Sequence, residues 1–570
     1  MKNKSFPKPP SETGTIRKHW GGRIRVALVY PNTYAVGMAN LGFQTVYKLL
    51  NDMDHVVCER AFLPGSASPL RSMESVRPLS DFHIIAFSVS FESDYPHILT
   101  ILDAAGIPFA SHMRNEDFPL ILAGGVACFL NPEPLAVFMD AFLLGEAEEL
   151  LPPFFRFYHP GEEREKLLYD LARNVPGVYV PAFYRPEYRQ DGSLESFAPI
   201  RDVPEKIASL YLPDLSLHKT CSVFLTQHSI FPQTFLLETG RGCPHGCRFC
   251  SAGYIYRPPR FRPPALLKEC IEEGISRTNQ IGLMGTAVSD LPGIGDLCKN
   301  VSSEDIRISF SSLRADALTP ELLHTLKNSR VKTATIAPDA GSERMRRVIN
   351  KGLAEEDILN AAEMLVAEGI PNLKLYFMIG LPTEREEDIE AIQELCARIK
   401  GKFLRSSRAK GRMGEITVSL NCFVPKALTP FQWAGTEDMR KLKGKQKSIQ
   451  NALRKIPNVR LHFDNPRQAY VQALLARGDR RVSGFLKKMH RYQGNLPQSL
   501  KETSLDTDSL VYPERDADEL FPWDFIGHRV KKSFLRREYE KALENRPSPP
   551  CPMTSGCGLC GGCVGEEPLS

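Results

Sequence analysis

The chain has 570 residues, of which 42% are hydrophobic and 24% charged. That composition excludes a disordered or collagen-like polymer, and the length predicts roughly two to four folded units with cores too large to need disulfide staples. The net charge is only +5, but between Met439 and Tyr492 15 Lys and Arg stand against Asp464 and Asp479, leaving the rest of the chain mildly acidic.

Such segregation predicts a face for an anionic partner, RNA first among them, with solvated helix faces as the plainer alternative. No stretch of about eighteen apolar residues occurs. The best one, Leu135 to Gly145, is short and carries Asp140, so no membrane partner is expected. The opening MKNKSFPKPPSETGTIRKHW has no apolar run behind its lysines. No leader peptide is expected there, and the expected location is cytoplasmic.

In chain order, residues 1–20 read as a flexible arm. Arg23 to Pro31 reads as a buried strand, and a helix is expected from Gly42 to Asn51. Further strands are expected at His83 to Ser90, Pro119 to Gly124 and Asp140 to Gly145, with a helix from Asp94 to Ala105. This alternation predicts a doubly wound parallel sheet over 21–160, followed by a connecting region over 161–230 in which Val178 to Tyr184 is β-like.

A second alternation fills 231–435. Its expected strands are Phe235 to Glu238, Gln280 to Met284, Arg307 to Ser311, Lys332 to Ala337, Leu373 to Ile379 and Ile416 to Phe423. Helices are expected at Pro264 to Arg277, Pro320 to Asn328, Glu355 to Glu368 and Glu386 to Lys400. Residues 436–546 read as a basic helical region and 547–570 as a Cys-rich metal-binding tail. The expected fold class is therefore α/β: an N-terminal Rossmann-like parallel sheet, a partial (β/α)6 TIM-type barrel, and a helical basic C-terminal region. Catalytic groups of such a barrel gather at the C-terminal ends of its strands.

The fourteen cysteines carry most of the chemistry. Cys58, Cys128, Cys221, Cys270, Cys298, Cys396 and Cys422 are scattered singly, as buried thiols of a reducing compartment are. Cys243, Cys247 and Cys250 form a Cys-x3-Cys-x2-Cys motif just after the first expected barrel strand. Three thiolates do not complete a structural zinc site, but they can hold three irons of a 4Fe–4S cube and leave the fourth open. Gly240, Gly242 and Gly246 allow a tight wrap around such a group. Cys551, Cys557, Cys560 and Cys563 offer four thiolates, enough for a closed site with either a second Fe–S cluster or zinc. Fe–S is preferred, because a cluster must already be delivered to the first motif. His245, His324 and His462 read as packed or exposed side chains rather than catalysts.

The stretch LETGRGCPHGCRFCSAGYIYRPPR, with Phe249 before the third cysteine, resembles the signature of radical S-adenosylmethionine (radical SAM) enzymes. The resemblance continues through FSSLRADALTPELLHTLK, APDAGSERMRRVINKG, KLYFMIGLPTE and LNCFVPKALTPFQW. Upstream, YPNTYAVGMANLGFQTVYKLLN and LAGGVACFLNPEPLAVFMDAFLLGEAEE are similar to a subfamily with an N-terminal cobalamin-binding-like domain. The resemblance implies that Cys243, Cys247 and Cys250 hold a 4Fe–4S cluster whose open iron chelates S-adenosylmethionine. One-electron cleavage would give methionine and a 5′-deoxyadenosyl radical, with an electron donor of flavodoxin or ferredoxin type.

The same resemblance implies that Phe249 packs near the adenine and that Gly285 and Thr286 meet the methionine amino group. Ser311, Arg314, Asp339 and Lys351 would bind carboxylate or ribose; Asp339 stands where related enzymes often carry Glu or Gln. The cobalamin domains of such proteins commonly offer an Asp-x-His-x-x-Gly motif, whereas this chain has Asn32-TYAVGMANLG and no histidine. Histidine-ligated cobalamin is therefore not expected; base-free binding at the Gly124-Gly125 loop and a scaffold without cofactor both stay open. The expected function is radical modification of an unidentified substrate, with RNA as candidate. Two alternatives remain, a cobalamin-dependent methyltransferase and a non-catalytic metal-binding protein that binds nucleic acid.

Overall fold

The computed structural model describes residues 10–65, 70–301, 305–311, 313–408, 414–554 and 556–563. The N-terminal sheet has six strands: β1 (Ile24–Tyr30), β2 (Val56–Phe62), β3 (Ile84–Ser88), β4 (Leu120–Gly124), β5 (Ala141–Leu143) and β6 (Val178–Tyr179). They lie in the order β2-β1-β3-β4-β5-β6. The first five are parallel and β6 runs antiparallel to β5. The sheet therefore takes in residues from the stretch expected to be connecting, and it is mixed rather than wholly parallel. β1 is central because IRVALVY is apolar on both faces, as a strand covered on both sides must be.

β2 was not expected from its sequence, VVCERAF, yet every residue of it is buried. Its charges are neutralised inside: Arg60 Nε donates to Glu74 Oε1 at 2.7 Å, and Trp20 Nε1 donates to Glu59 Oε1 at 2.7 Å. The Arg60 guanidinium also lies 3.8 Å from the Phe224 ring centroid. Helices α1 (Leu41–Asp52), α2 (Tyr95–Ala104) and α3 (Ala147–Phe157) flank the sheet. Strand order reverses between β1 and β3, so right-handed crossovers place α1 and α2 on opposite faces and open a crevice at the strand ends.

The second unit holds seven strands: β7 (Phe235–Glu238), β8 (Gln280–Met284), β9 (Arg307–Phe310), β10 (Thr333–Asp339), β11 (Asn372–Ile379), β12 (Ile416–Cys422) and β13 (Val459–Phe463). All neighbours pair in parallel, in a three-stranded sheet β7-β8-β9 and a four-stranded sheet β10-β11-β12-β13. No ladder joins β9 to β10 among the described residues, so the barrel is open there. β13 interrupts the stretch expected to be helical. It is a short edge strand whose Arg460 and His462 break up an apolar run.

The two faces of these strands differ. Ala334, Ile336, Leu373, Leu375, Phe377, Val418 and Leu420 pack with Ile358, Ala362 and Leu365 of the helix α4 (Glu355–Ala367). The alternate residues, among them Ser309, Thr335, Lys374, Tyr376, Thr417 and Asn421, stand on the opposite, concave side. That lining is polar and partly accessible, unlike the apolar layers that fill a closed TIM barrel.

The basic region folds as α5 (Met439–Leu453), β13, α6 (Pro466–Arg477) and α7 (Ser483–Arg491). Most of its Lys and Arg are exposed, but several are engaged inside the protein. Arg477 is 1% exposed and donates to the carbonyls of Val511 and Pro513, both at 2.7 Å. Arg480 pairs with Glu133 of the N-terminal unit at 2.8 Å. Lys445, one of the fifteen basic residues read as a face for an anion, instead pairs with Glu384 at 2.6 Å and Glu437 at 2.7 Å. Lys441, Lys443 and Lys447 remain exposed. A last helix, α8 (Lys532–Leu543), leads into the cysteine tail.

Candidate metal centre and active site

The three-cysteine loop leaves β7 and is closed at its base, where Gly240–Arg241 pairs antiparallel with Arg260–Phe261. Gly242 adopts φ +81°, and a Cβ there would stand 2.6 Å from the Tyr256 carbonyl oxygen, so only glycine fits this turn. Arg248, within the motif and fully buried, ties the loop down. Its guanidinium donates to the carbonyls of Arg347 and Val348 at 3.1 and 3.0 Å, to Arg546 O at 2.7 Å and to Glu538 Oε2 at 3.2 Å. Its own amide donates to Ile349 O at 2.9 Å. Asn350 Nδ2 adds a bond to Gly246 O at 3.1 Å.

This arrangement brings Cys243, Cys247 and Cys250 within electrostatic reach of one another. Burial pushes Cys243 up to about 11 and Cys247 up to about 12, and raises Cys250 as well. Metal coordination would oppose this by favouring the thiolates. Among the described residues no three His, Cys, Asp or Glu side chains converge as ligands of a single ion. A cubane makes no such demand, because each thiolate binds a different iron and the sulfurs stand apart. The donor set, three thiols on one tight loop, thus fits a cluster with one open iron.

The residues expected to bind S-adenosylmethionine lie around this loop. Lys351 Nζ donates to Asp339 Oδ2 at 2.5 Å, beside Cys247 and Cys250. Burial alone would depress Lys351, but Asp339 and Cys247 hold it above its ordinary value. Asp339 ends β10 at φ +61°, after a register shift, a strained conformation that Asp tolerates better than most residues. Arg314 Nη2 donates to Asp316 Oδ2 at 2.9 Å and to Lys351 O at 3.3 Å. Thr286 Oγ1 donates to Gly242 O, and Ser311 Oγ accepts from Gly285 N at 3.1 Å. Phe249 is half-buried against the main apolar core. Asp339 and Lys351 satisfy each other, so a bound carboxylate would have to share this lysine. His245, expected to be packed or exposed rather than catalytic, meets Asp290, whose Oδ1 lies 2.8 Å from Nε2.

The C-terminal cysteines also come together. Cys551, Cys557 and Cys560 all lie within electrostatic reach of Cys563. Cys551 N donates to Pro244 O at 2.7 Å, and Ser548 N donates to Asn350 Oδ1 at 2.8 Å. The tail is thereby pinned to the first loop, next to Cys243. Arg257, 7% exposed, reaches the Cys560 sulfur.

At the N-terminal crevice, a cavity of about 360 Å³ separates the sheet from α1 and α3. Its floor is apolar, from Val26, Leu28, Ile84 and Leu122, and its rim carries Asn40, Ser90, Glu146 and Arg241. Arg241 pairs with Glu146 at 2.5 Å, Glu148 at 2.6 Å and Glu238 at 3.0 Å, joining the rim to the root of the cysteine loop. Although burial alone would raise Glu148, Arg241 holds its carboxyl below the usual range.

Three organising residues escaped sequence reasoning: Arg248, Asn350 and Arg257. All three act through bonds to partners at least four residues away, most of them far along the chain. The one local signal was an arginine set between two metal ligands, where a solvated side chain is the ordinary reading.

Residues 42–181 match the family described as "Radical SAM proteins, N-terminal", and residues 237–396 match the Radical SAM superfamily. The protein MJ0966 of Methanocaldococcus jannaschii, itself described as uncharacterized, is 32% identical over 463 residues, covering 81% of this chain and 90% of that relative. A tRNA-2-methylthio-N(6)-dimethylallyladenosine synthase of Natranaerobius thermophilus is 26% identical over 28% of this chain and 38% of its own length. Among solved structures, the cobalamin-dependent S-adenosylmethionine radical enzyme OxsB aligns with a TM-score of 0.44 and 17% identity, over 65% of this chain and 51% of that one. Family membership brings S-adenosylmethionine and a 4Fe–4S cluster. With both family segments matched and an archaeal relative alike over nearly its whole length, the chain belongs to the radical SAM superfamily and is an enzyme of that class.

Proposed function

We propose that Cys243, Cys247 and Cys250 hold the 4Fe–4S cluster and that the mouth formed by Gly285, Thr286, Ser311, Arg314, Asp339 and Lys351 binds S-adenosylmethionine for radical modification of an as yet unidentified substrate. The observation that carries this is the gathering of three thiols on a pinned loop at the end of β7, facing the Lys351–Asp339 pair. When bound, the cluster and its co-substrate supply one-electron cleavage to methionine and a 5′-deoxyadenosyl radical. The chain's own part is positional. Arg248 fixes the loop, Lys351 offers the carboxylate a buried cation, and the carbonyl of Gly285, held by Ser311, accepts from the methionine amino group. Phe249 gives the adenine an apolar contact. The electron comes from a flavodoxin- or ferredoxin-type donor, and the location is the cytoplasm.

For the substrate we carry forward RNA. Its support is the tRNA-acting relative and exposed Lys441, Lys443 and Lys447. Among the described residues no helix is long and apolar enough to cross a membrane. The test is anaerobic incubation of the reconstituted full chain with S-adenosylmethionine, a strong one-electron reductant and, in parallel, total RNA. Methionine and 5′-deoxyadenosine are expected in equal amounts, with more formed when RNA is present. No deoxyadenosine removes the enzymatic site; no response to RNA removes only the substrate.

A second reading, cobalamin-dependent methyl transfer, is favoured by the apolar cavity at the crevice, whose floor would take the displaced nucleotide tail of a cobalamin bound without a lower axial base. Titration with hydroxocobalamin should then shift its visible spectrum with saturation near one per chain. A spectrum that stays that of free corrinoid throughout rejects this reading.

A further inference from the structure

The four C-terminal thiols belong to a segment that packs against the active-site loop. Cys557-x2-Cys560-x2-Cys563 repeats the Cys-x2-Cys-x2-Cys run of 4Fe–4S ferredoxins, and the remote Cys551 is followed by Pro552, as a remote ligand of that class often is. Paired zinc motifs instead separate two Cys-x2-Cys units by a longer loop. The local charge also suits a cluster, which carries net negative charge with four thiolates. Arg257 contacts Cys560, Lys531 N donates to Cys560 O at 2.9 Å, and the Cys560 sulfur accepts from Gly562 N at 3.5 Å. Gly561 adopts φ +95°, and a Cβ there would lie 2.7 Å from Arg529 O, so the segment needs glycine to reach this position. Sulfide-facing amides and buried cations are what tune such a centre.

Position supplies the second argument. Cys551 N bonds Pro244 O at 2.7 Å, and Pro244 follows Cys243 directly. With about 3.8 Å per Cα step, the Cα atoms of Cys551 and Cys243 are at most about 10 Å apart. The segment lies on the outer side of the first loop, with Leu559 65% and Met553 47% exposed, so its free face is open to a donor protein.

We propose that Cys551, Cys557, Cys560 and Cys563 bind a second 4Fe–4S cluster that relays electrons to the first. This rests on the first cluster's assignment to Cys243, Cys247 and Cys250. One electron leaves a reduced flavodoxin or ferredoxin, takes the tail cluster from its 2+ to its 1+ state, and moves on to the first cluster. The tail cluster returns to 2+, the donor is oxidised by one electron, and no proton or bond is exchanged.

The test uses the full chain, reconstituted anaerobically with ferrous iron and sulfide, in wild-type form, as Cys557→Ser/Cys560→Ser, as Cys551→Ser and as Cys243→Ala. Wild type should hold about eight irons and eight sulfides per chain, and each tail variant about four. Electron paramagnetic resonance of the reduced protein should show two interacting centres in wild type and one in every variant. With dithionite, tail variants should keep deoxyadenosine formation within about twofold of wild type. With reduced flavodoxin they should lose at least about tenfold. Far-UV circular dichroism and melting, read on all forms, separate misfolding from loss of the centre, and the milder Cys551→Ser serves if the double variant is unstable. Stoichiometric zinc lost with the tail cysteines, iron content unchanged in both tail variants, or an undiminished flavodoxin-driven rate each overturns the proposal. Failure of the first site reads differently: Cys243→Ala would then keep its cleavage, whatever the tail holds.

Discussion

Cys243→Ala, Cys247→Ala and Cys250→Ala are each expected to reduce 5′-deoxyadenosine formation by at least about a hundredfold. Removing an outer partner of a metal ligand already costs about 10–100-fold, and these substitutions remove a ligand itself. The three thiols sit on one loop whose backbone is held from outside, by Arg248 and Asn350, so the fold does not depend on them. Circular dichroism and melting should therefore stay close to wild type while visible absorbance and iron content drop. Equal deoxyadenosine from any of the three variants would place the cluster elsewhere.

Arg248→Ala should be the most destabilising single substitution near the site. Arg248 is fully buried, and its loss strands three carbonyls together with Glu538. Breaking a buried pair from one side costs about 3–5 kcal/mol. Lys541 and Ser548 also hold Glu538, so the lower end of that range is expected. The melting midpoint should fall by several degrees, and reconstituted iron should fall with it as the loop loosens. Arg248→Lys keeps the charge but not the planar fork and should recover only part of the loss. Melting indistinguishable from wild type would mean the loop holds its shape without this anchor.

Legibility followed the reach of each interaction. β1, β3, β4 and the first six barrel strands could be read because burial on one or both faces writes an apolar pattern into four to eight consecutive residues. The Cys-x3-Cys-x2-Cys loop could be read for a similar reason, since its ligands are local. β2 could not: Glu59 and Arg60 look like surface residues until Trp20, Glu12 and Glu74 arrive from other segments. The basic stretch differs in the opposite direction at a few positions. Its arginines read as a face for an anion, but Arg477, Arg480 and Lys445 find carbonyls and carboxylates within the protein. Most of the other Lys and Arg of the stretch, Lys441, Lys443 and Lys447 among them, stay exposed. β13 was missed because Arg460 and His462 break its apolar run, whereas β6 falls within Val178 to Tyr184, read as β-like, and only its place in the N-terminal sheet was not foreseen.

The trough between β9 and β10, with its hydroxyl- and amide-bearing inner wall, will be wet whenever nothing occupies it. A molecule seated there would expel that solvent as it docks. Idling turnover in its absence would squander the co-substrate, with the radical quenched by whatever hydrogen lies nearest. The stoichiometry of deoxyadenosine to modified product thus becomes a gauge of how well any offered molecule seals the gap.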